Sequence, residues 1–409
     1  MSFILRPITE EEINLFRSQL TRGFGGDLSD EDREDTQRFR DLAPLERTVA
    51  AFDGDLLVGT LGDFPMSVTL PGGRSLAMAG TTMVTVQPTH RRRGILRGMM
   101  TAHLDAARER GEPLAGLWAS ESSIYGRFGF GLAVDRVSVK MQGRGLDFGT
   151  EGRLTGVRIV ESEEAQSILP GVYERCLPTR PGMLGRADLW RKWKFFHDPE
   201  RWRDGQSAYR FVVYDGGDGP DGYAVYRQKE EWDEFFPNGK VAVTEFMAAT
   251  GEAHDALWRF LVGIDLFPNV EYWNQPLDDE LRWRVTEPRQ VRREVSDSLW
   301  LRVLDVPAAL AGRDYAIEGD LRIGIHDPMY RDNDGTYLLS ATPGSSQCWP
   351  VDEPPDLELE IDALGAILLG GRRLGSLARS GRVRGSADVI RHADSLFTWD
   401  PAPWCPEIF

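Results

Sequence analysis

Arg91, Arg92, Arg93 and Arg97 fall within seven residues of a chain whose formal charge is −16. They sit in the stretch 84–100, VTVQPTHRRRGILRGMM, directly after a β-branched run and directly before a helical pattern. The start of a helix offers N–H groups without intrahelical partners and about half a positive charge, and consecutive loop amides can form a nest for anionic oxygens. Gly94 lets an anion approach the backbone closely, and guanidinium groups add charge-assisted, bidentate hydrogen bonds. These residue types at this spacing suit a diphosphate held at the amino end of a helix beginning near Ile95.

The loop is neither of the common nucleotide loops. No GxxxxGK[ST] occurs, and the glycines of GRFGFG at 126–131 have the wrong spacing and context for a dinucleotide fingerprint. Thirty residues after the arginines, ASESSIYGRFGFG carries Ser120, Glu121 and Tyr125. A phenol stays protonated at neutral pH and can donate a proton to a leaving group, but on sequence alone Tyr125 reads rather as a core aromatic beside Phe128 and Phe130. His90 reads as a loop residue or cap, and His103 as one turn of an apolar helix face. Cys176, Cys348 and Cys405 are odd in number and far apart, which supports neither a disulfide framework nor a metal site. They also lack an activating neighbour, so none of them reads as a nucleophile.

The elements that must position these groups follow from periodicity. A strand at 3–7 precedes an acid-rich helix start at Thr9–Glu12, and the apolar runs around Asp53-Gly54-Asp55 make a hairpin. Further strands are expected at 67–70 and 79–86, a helix from Ile95 to Gly111, a strand at 114–119, a short helix at 121–128 and a strand at 133–141. The Gly-rich stretch 143–156 reads as a linker. The hairpin, strand and helix then recur at 211–226, 241–246 and from His254, with MAATGEAHDALW where the first copy has QPTHRRRGILRG. The second copy has lost the arginines, and with them the anion site. Strands at 321–325 and 357–361 and a helix at 361–369 mark a third region.

Forty-one per cent hydrophobic residues and twelve Trp describe a chain that buries large cores. A pI near 5.0 opposes binding to nucleic acid. No apolar run reaches about 18 residues, so no membrane insertion is expected and the protein reads as cytoplasmic. Phe24, Asp27, Asp30, Glu31, Asp32, Glu34 and Asp35, before a helix containing Phe39, form an acidic segment able to hold the ammonium groups of a polyamine; such runs also serve simply as solvated faces.

VTVQPTHRRRGILR resembles the acyl-CoA pyrophosphate loop of the GNAT superfamily of N-acetyltransferases, with Leu96 standing where Gly or Ala is usual. Together with ASESSIYGRFGFG, the duplicated second half and an aromatic last residue, it is similar to the mycobacterial "enhanced intracellular survival" (Eis) acetyltransferases over the whole length. The resemblance implies an α/β (α+β) chain: an acetyl-CoA-binding domain at 1–148, a degenerate second acetyltransferase-like domain at 149–292, and a sterol-carrier-like domain at 293–409. It further implies a homohexamer that takes acetyl-CoA as co-substrate, uses no metal, and acetylates amino groups of aminoglycosides at several sites, and lysine side chains. Carried onto this sequence, Val84, Thr85 and Val86 meet the pantetheine arm. Arg92, Arg93, Gly94, Ile95, Leu96 and Arg97 surround the pyrophosphate, and Ser120 and Glu121 line the reactive end. Tyr125 is the general acid, and the carboxylate of Phe409 the base. Two other readings stay open: a lipid- or ligand-binding scaffold with vestigial acetyltransferase domains, and an acetyltransferase restricted to protein lysines or a small metabolite.

Overall fold

The computed structural model describes residues 3–29, 36–143, 145–149 and 154–409. Its contacts group into two units: Met1–Val134 with Ser298–Asp400 and Glu407–Phe409, and Asp135–Asp297 with Pro401–Pro406.

The first unit is built on a seven-stranded mixed sheet. β1 (Ile4–Arg6), β2 (Thr48–Asp53), β3 (Leu56–Thr69), β4 (Ser75–Val86) and β5 (Leu114–Trp118) follow one another; the late strand Leu299–Val303 comes next, and β6 (Gly131–Leu132) lies outermost. The strand expected at 67–70 is the far end of β3, which runs unbroken for 14 residues. The expected helix is α3 (Ile95–Glu109); α1 (Ile13–Gly23) and the short α2 (Thr36–Leu42) precede it. Ile95, Met99, Met100, Leu104 and Ala107 recur every three or four residues and are buried, so the 3.6-residue period fixes which face of α3 meets the sheet. Gly59 makes that approach possible: a β-carbon there would lie 3.0 Å from Met99 Sδ and 3.1 Å from Ile95 Cγ2.

A second sheet in this unit orders Gln347–Val351, Gly335–Ala341, Gly319–His326, Leu357–Glu360 and Val383–Gly385. The helix that follows it, Ile361–Ile367, lies against the first sheet so closely that a β-carbon on Gly131 would fall 1.8 Å from the Asp362 carbonyl oxygen. Backbone cannot yield there as a side chain can. Gly131→Ala is expected to destabilise the unit by about 3 kcal/mol or more, at the upper end of overpacking, read as a lower urea midpoint.

The second unit repeats the plan with a seven-stranded sheet: Arg292–Asp297, Asp135–Gln142, Asn269–Gln275, Lys240–Ala248, Gly219–Lys229, Arg210–Gly216 and Val157–Val160. The division of contacts differs from boundaries at 148 and 292, and the sheets give the reason. Asp135–Gln142 pairs with Asn269–Gln275 and with Arg292–Asp297, while Leu299–Val303 pairs with β5 and β6. Leu146 and Phe148, in the stretch read as a linker, are buried in the second core. Ser298–Asp400 and Glu407–Phe409 of the third region group with the first unit, and Pro401–Pro406 with the second. Among the described residues no helix is long and apolar enough to cross a membrane.

Candidate functional site

The first unit's sheet splits at its centre. β4 runs antiparallel to β3 over its whole length, but parallel to β5 only at Met78–Leu114, Ala79–Ala115 and Gly80–Gly116. β5 stays paired with Leu299–Val303 as far as Trp118, so beyond Gly80 the two central strands diverge. A β-bulge drives β4 outward: pairing jumps from Gly62–Thr82 to Thr60–Thr85, two residues oppose Leu61, and Met83 adopts φ 57°. The Thr60 hydroxyl holds the bulge by donating to the Met83 carbonyl at 2.8 Å. Among the described residues, the β4 backbone beyond Gly80 therefore has no strand partner on its β5 side.

The wedge opens into a cavity of about 820 Å³ that includes the amino end of α3. Arg92 at φ 62° and Gly94 at φ 84° turn the chain sharply into the helix, leaving the first-turn N–H groups facing outward. Nothing lies within 4 Å of a β-carbon built on Gly94, so glycine is needed there for its backbone conformation and for the openness of the spot. Arg91, Arg92 and Arg97 line the cavity and enter no ion pair among the described residues. Arg93 does not line it; its guanidinium lies 4.0 Å from Asp53, which also lies 3.4 Å from His90.

Of the residues singled out from sequence, Val84, Thr85, Val86, Arg92, Gly94, Ile95, Leu96, Arg97, Ser120, Glu121, Tyr125 and Phe409 share this cavity. Tyr125 ends the turn Ser122–Ile124 and is 7% exposed, its ring edge-on to Phe130 with centroids 6.1 Å apart. Burial, and then the charge of Glu121, push its phenol above the usual value. Its hydroxyl makes no hydrogen bond among the described residues. The ring packs in the core around α3, and the residue lines the cavity.

Thr81, Met83, Trp118, Ile124 and Arg127 also line the cavity and escaped the sequence reading. Trp118, at the end of β5 two residues before Ser120, was the accessible signal. Phe24 is exposed at the rim; Asp30, Glu31, Asp32, Glu34 and Asp35 lie outside the described residues. His103 was read as part of an apolar face and is buried there, yet both ring nitrogens are partnered, by Thr81 and Asp63.

The second unit has the same strand divergence without the anion loop. Its helix Gly251–Val262 begins after Thr250, whose hydroxyl accepts from the Ala253 N–H in an ordinary N-cap. A buried Glu245 bonded to Arg186 and Tyr223, with the Lys194 ammonium at 3.3 Å, occupies the equivalent strand. Burial alone would raise that carboxyl, but Arg186 and Lys194 outweigh it and hold Glu245 below its usual value.

The acetyltransferase (GNAT) domain family matches residues 5–133, a second acetyltransferase (GNAT) domain family matches 182–303, and the sterol carrier protein domain family matches 306–406. An uncharacterized N-acetyltransferase of Streptomyces avermitilis is 36% identical over the full length of both chains. The N-acetyltransferase Eis of Mycobacterium tuberculosis is 33% identical over 90% of each. The crystal structure of Eis1 from Mycobacterium abscessus superposes with a TM-score of 0.86 at 29% identity, covering 99% of this chain and 100% of that one. With a split central sheet, an arginine-lined helix start and relatives matched along its whole length, the chain belongs to the Eis-like N-acetyltransferases of the GNAT superfamily.

Proposed function

We propose that this protein transfers acetyl from acetyl-CoA directly to amino groups of polyamine substrates, aminoglycosides at several positions among them, and to lysine side chains. One observation carries the reading: a single cavity joins the arginine-lined start of α3, the open edge of β4, Tyr125 and Phe409.

In this reading the pantetheine arm lies along Val84, Thr85 and Val86 as an added strand edge. Arg92, Gly94, Ile95, Leu96 and Arg97 hold the diphosphate through first-turn amides and guanidinium groups, and Ser120 and Glu121 flank the thioester end. Attack needs a neutral amine, and the carboxylate of Phe409, with which this sequence ends, takes the ammonium proton. The amine nitrogen then bonds to the thioester carbon, and as the C–S bond breaks Tyr125 protonates the leaving thiolate. A raised phenol pKa keeps that proton in place through neutral and mildly alkaline pH. Direct transfer agrees with the thiols: burial pushes Cys176 up to about 11 and Cys348 up to about 12, far from nucleophilic. The formal charge of −16 favours the approach of polycations.

The test is release of CoA thiol from acetyl-CoA with kanamycin or tobramycin, with mass spectrometry to count acetyl groups. Amine-dependent release with more than one addition is the expected result. No release with any amine would leave a ligand-binding scaffold instead, and a single addition on lysine peptides alone would narrow the role. Arg92→Ala is expected to weaken acetyl-CoA binding about 10- to 100-fold, the loss of one charge-assisted contact, with kcat at saturation little changed; calorimetric titration measures it.

A further inference from the structure

A buried chain of polar groups leads away from the reacting end of the cavity. Thr81 is the first β4 residue past the last β4–β5 pair and forms part of the cavity wall. Its Oγ1 lies 2.7 Å from His103 Nε2, and His103 Nδ1 lies 3.1 Å from Asp63 Oδ2. Thr81, His103 and Asp63 are 2%, 1% and 1% exposed. Arg47 bonds both Asp63 and Glu112, and Arg110 reaches Asp63 at 3.3 Å and Glu112 at 2.8 Å.

The proton positions follow from what each group can do. Burial alone would raise the Asp63 carboxyl, but His103, Arg47 and Arg110 outweigh it and hold it below its usual value. An ionised carboxylate only accepts, so a neutral imidazole at this position carries its proton on Nδ1 and leaves Nε2 an acceptor. Thr81 then donates to His103, and its oxygen keeps lone pairs able to accept. Hydroxyl, imidazole and carboxylate thus stand in the order used to move a proton, with the carboxylate fixing the tautomer and stabilising an imidazolium.

We propose that Thr81 is a catalytic residue, and His103 and Asp63 its positioning partners, in a relay that accepts a proton from the acylated amine. The proposal rests on the acetyl-transfer reading and supplies what one carboxylate does not. An alkylammonium must lose two protons to become an amide, one before attack and one from the tetrahedral intermediate. Phe409 takes the first. For the second, the nitrogen–hydrogen bond breaks as Thr81 Oγ1 gains the proton, while the original Thr81 proton passes to His103 Nε2. The nitrogen lone pair becomes part of the amide, and the imidazolium returns its proton through Thr81 to water after products leave.

Thr81→Val keeps the shape and removes the hydroxyl. With wild-type turnover as the reference, it is expected to lower kcat about 100-fold, leave the KM for acetyl-CoA within about twofold, and change the shape of the kcat–pH profile, while Thr81→Ser restores the profile. Nitrogen-15 chemical shifts of the unliganded protein give a readout independent of turnover: His103 carries its proton on Nδ1. A Thr81→Val variant with wild-type kcat and pH profile, or a His103 protonated on Nε2 alone, overturns the relay and leaves acetyl transfer standing. A wild-type protein that releases no CoA with any amine overturns both.

Discussion

Tyr125→Phe lowers kcat by about 100- to 10,000-fold, the range for losing a positioned general acid, and leaves acetyl-CoA affinity within about twofold. The asymmetry follows from where the two ends of the side chain lie. The ring packs with Phe128 and Phe130 in the core around α3, and Phe preserves those contacts, so the melting temperature should stay within a few degrees. The hydroxyl bonds to no described residue, so its removal strands no buried partner in the protein. What disappears is the proton for the leaving thiolate. The effect therefore falls on kcat and on kcat/KM for acetyl-CoA together, the signature of an interaction made only in the transition state. With wild type, the raised phenol pKa moves any alkaline loss of activity caused by Tyr125 ionisation above the ordinary tyrosine range. The variant should lack that limb altogether. A kcat within threefold of wild type in single-turnover experiments would remove Tyr125 from the chemistry.

The arginine-lined corner at the start of α3 was legible because its logic is local. A β-branched run, a glycine that tolerates φ 84°, and an amphipathic period beginning at Ile95 are all written within 25 residues, and the structure has them as β4, the turn and α3. Tyr125 came into view only through resemblance, since its ring is an ordinary core ring by pattern. Sheet partnership was not legible. Nothing local says that Asp135–Gln142 leaves the sheet of its predecessors, or that Leu299–Val303 enters it between β5 and β6; both strands alternate in the same way, and the choice is made by long-range pairing. The bulge at Met83 was hidden for a related reason, because an extra residue in one strand shows only in the register of its partner. Arg93 looked like its neighbours in the string of arginines, but alternation within the turn sends it toward Asp53. Thr81, His103 and Asp63 are the most instructive omission. Each alone is a lone polar residue at a core position, and only the fold brings residues 40 and 22 positions apart into one line.

Extending the chain by four glycines after Phe409 abolishes acetyl transfer, at least 100-fold in kcat/KM for the amine, without lowering the melting temperature by more than about 2 °C. Chain ends ordinarily fray and tolerate additions. Most of this one is buried: Trp404 and Cys405 are 4% and 0% exposed, and the Trp404 indole donates to the Asn274 carbonyl at 3.1 Å. Glu407 is 1% exposed, and Phe409 lines the cavity that holds Tyr125. Added residues leave every one of those anchors untouched, so stability has no reason to fall. They replace a carboxylate by a neutral amide and must pass through, or out of, the space an amine needs. A carboxylate with a reference pKa near 3.5 is a weak base for an alkylammonium, so in the proposed transfer the step runs forward because attack consumes the neutral amine. Phe409→Ala separates the two causes of loss, since it keeps a carboxylate on a smaller residue. It should retain more activity than the extended chain, with the deficit in the amine KM. If the extended protein turns over as fast as the original, the proton acceptor for the incoming ammonium must be sought among the other groups lining the cavity, Glu121 first.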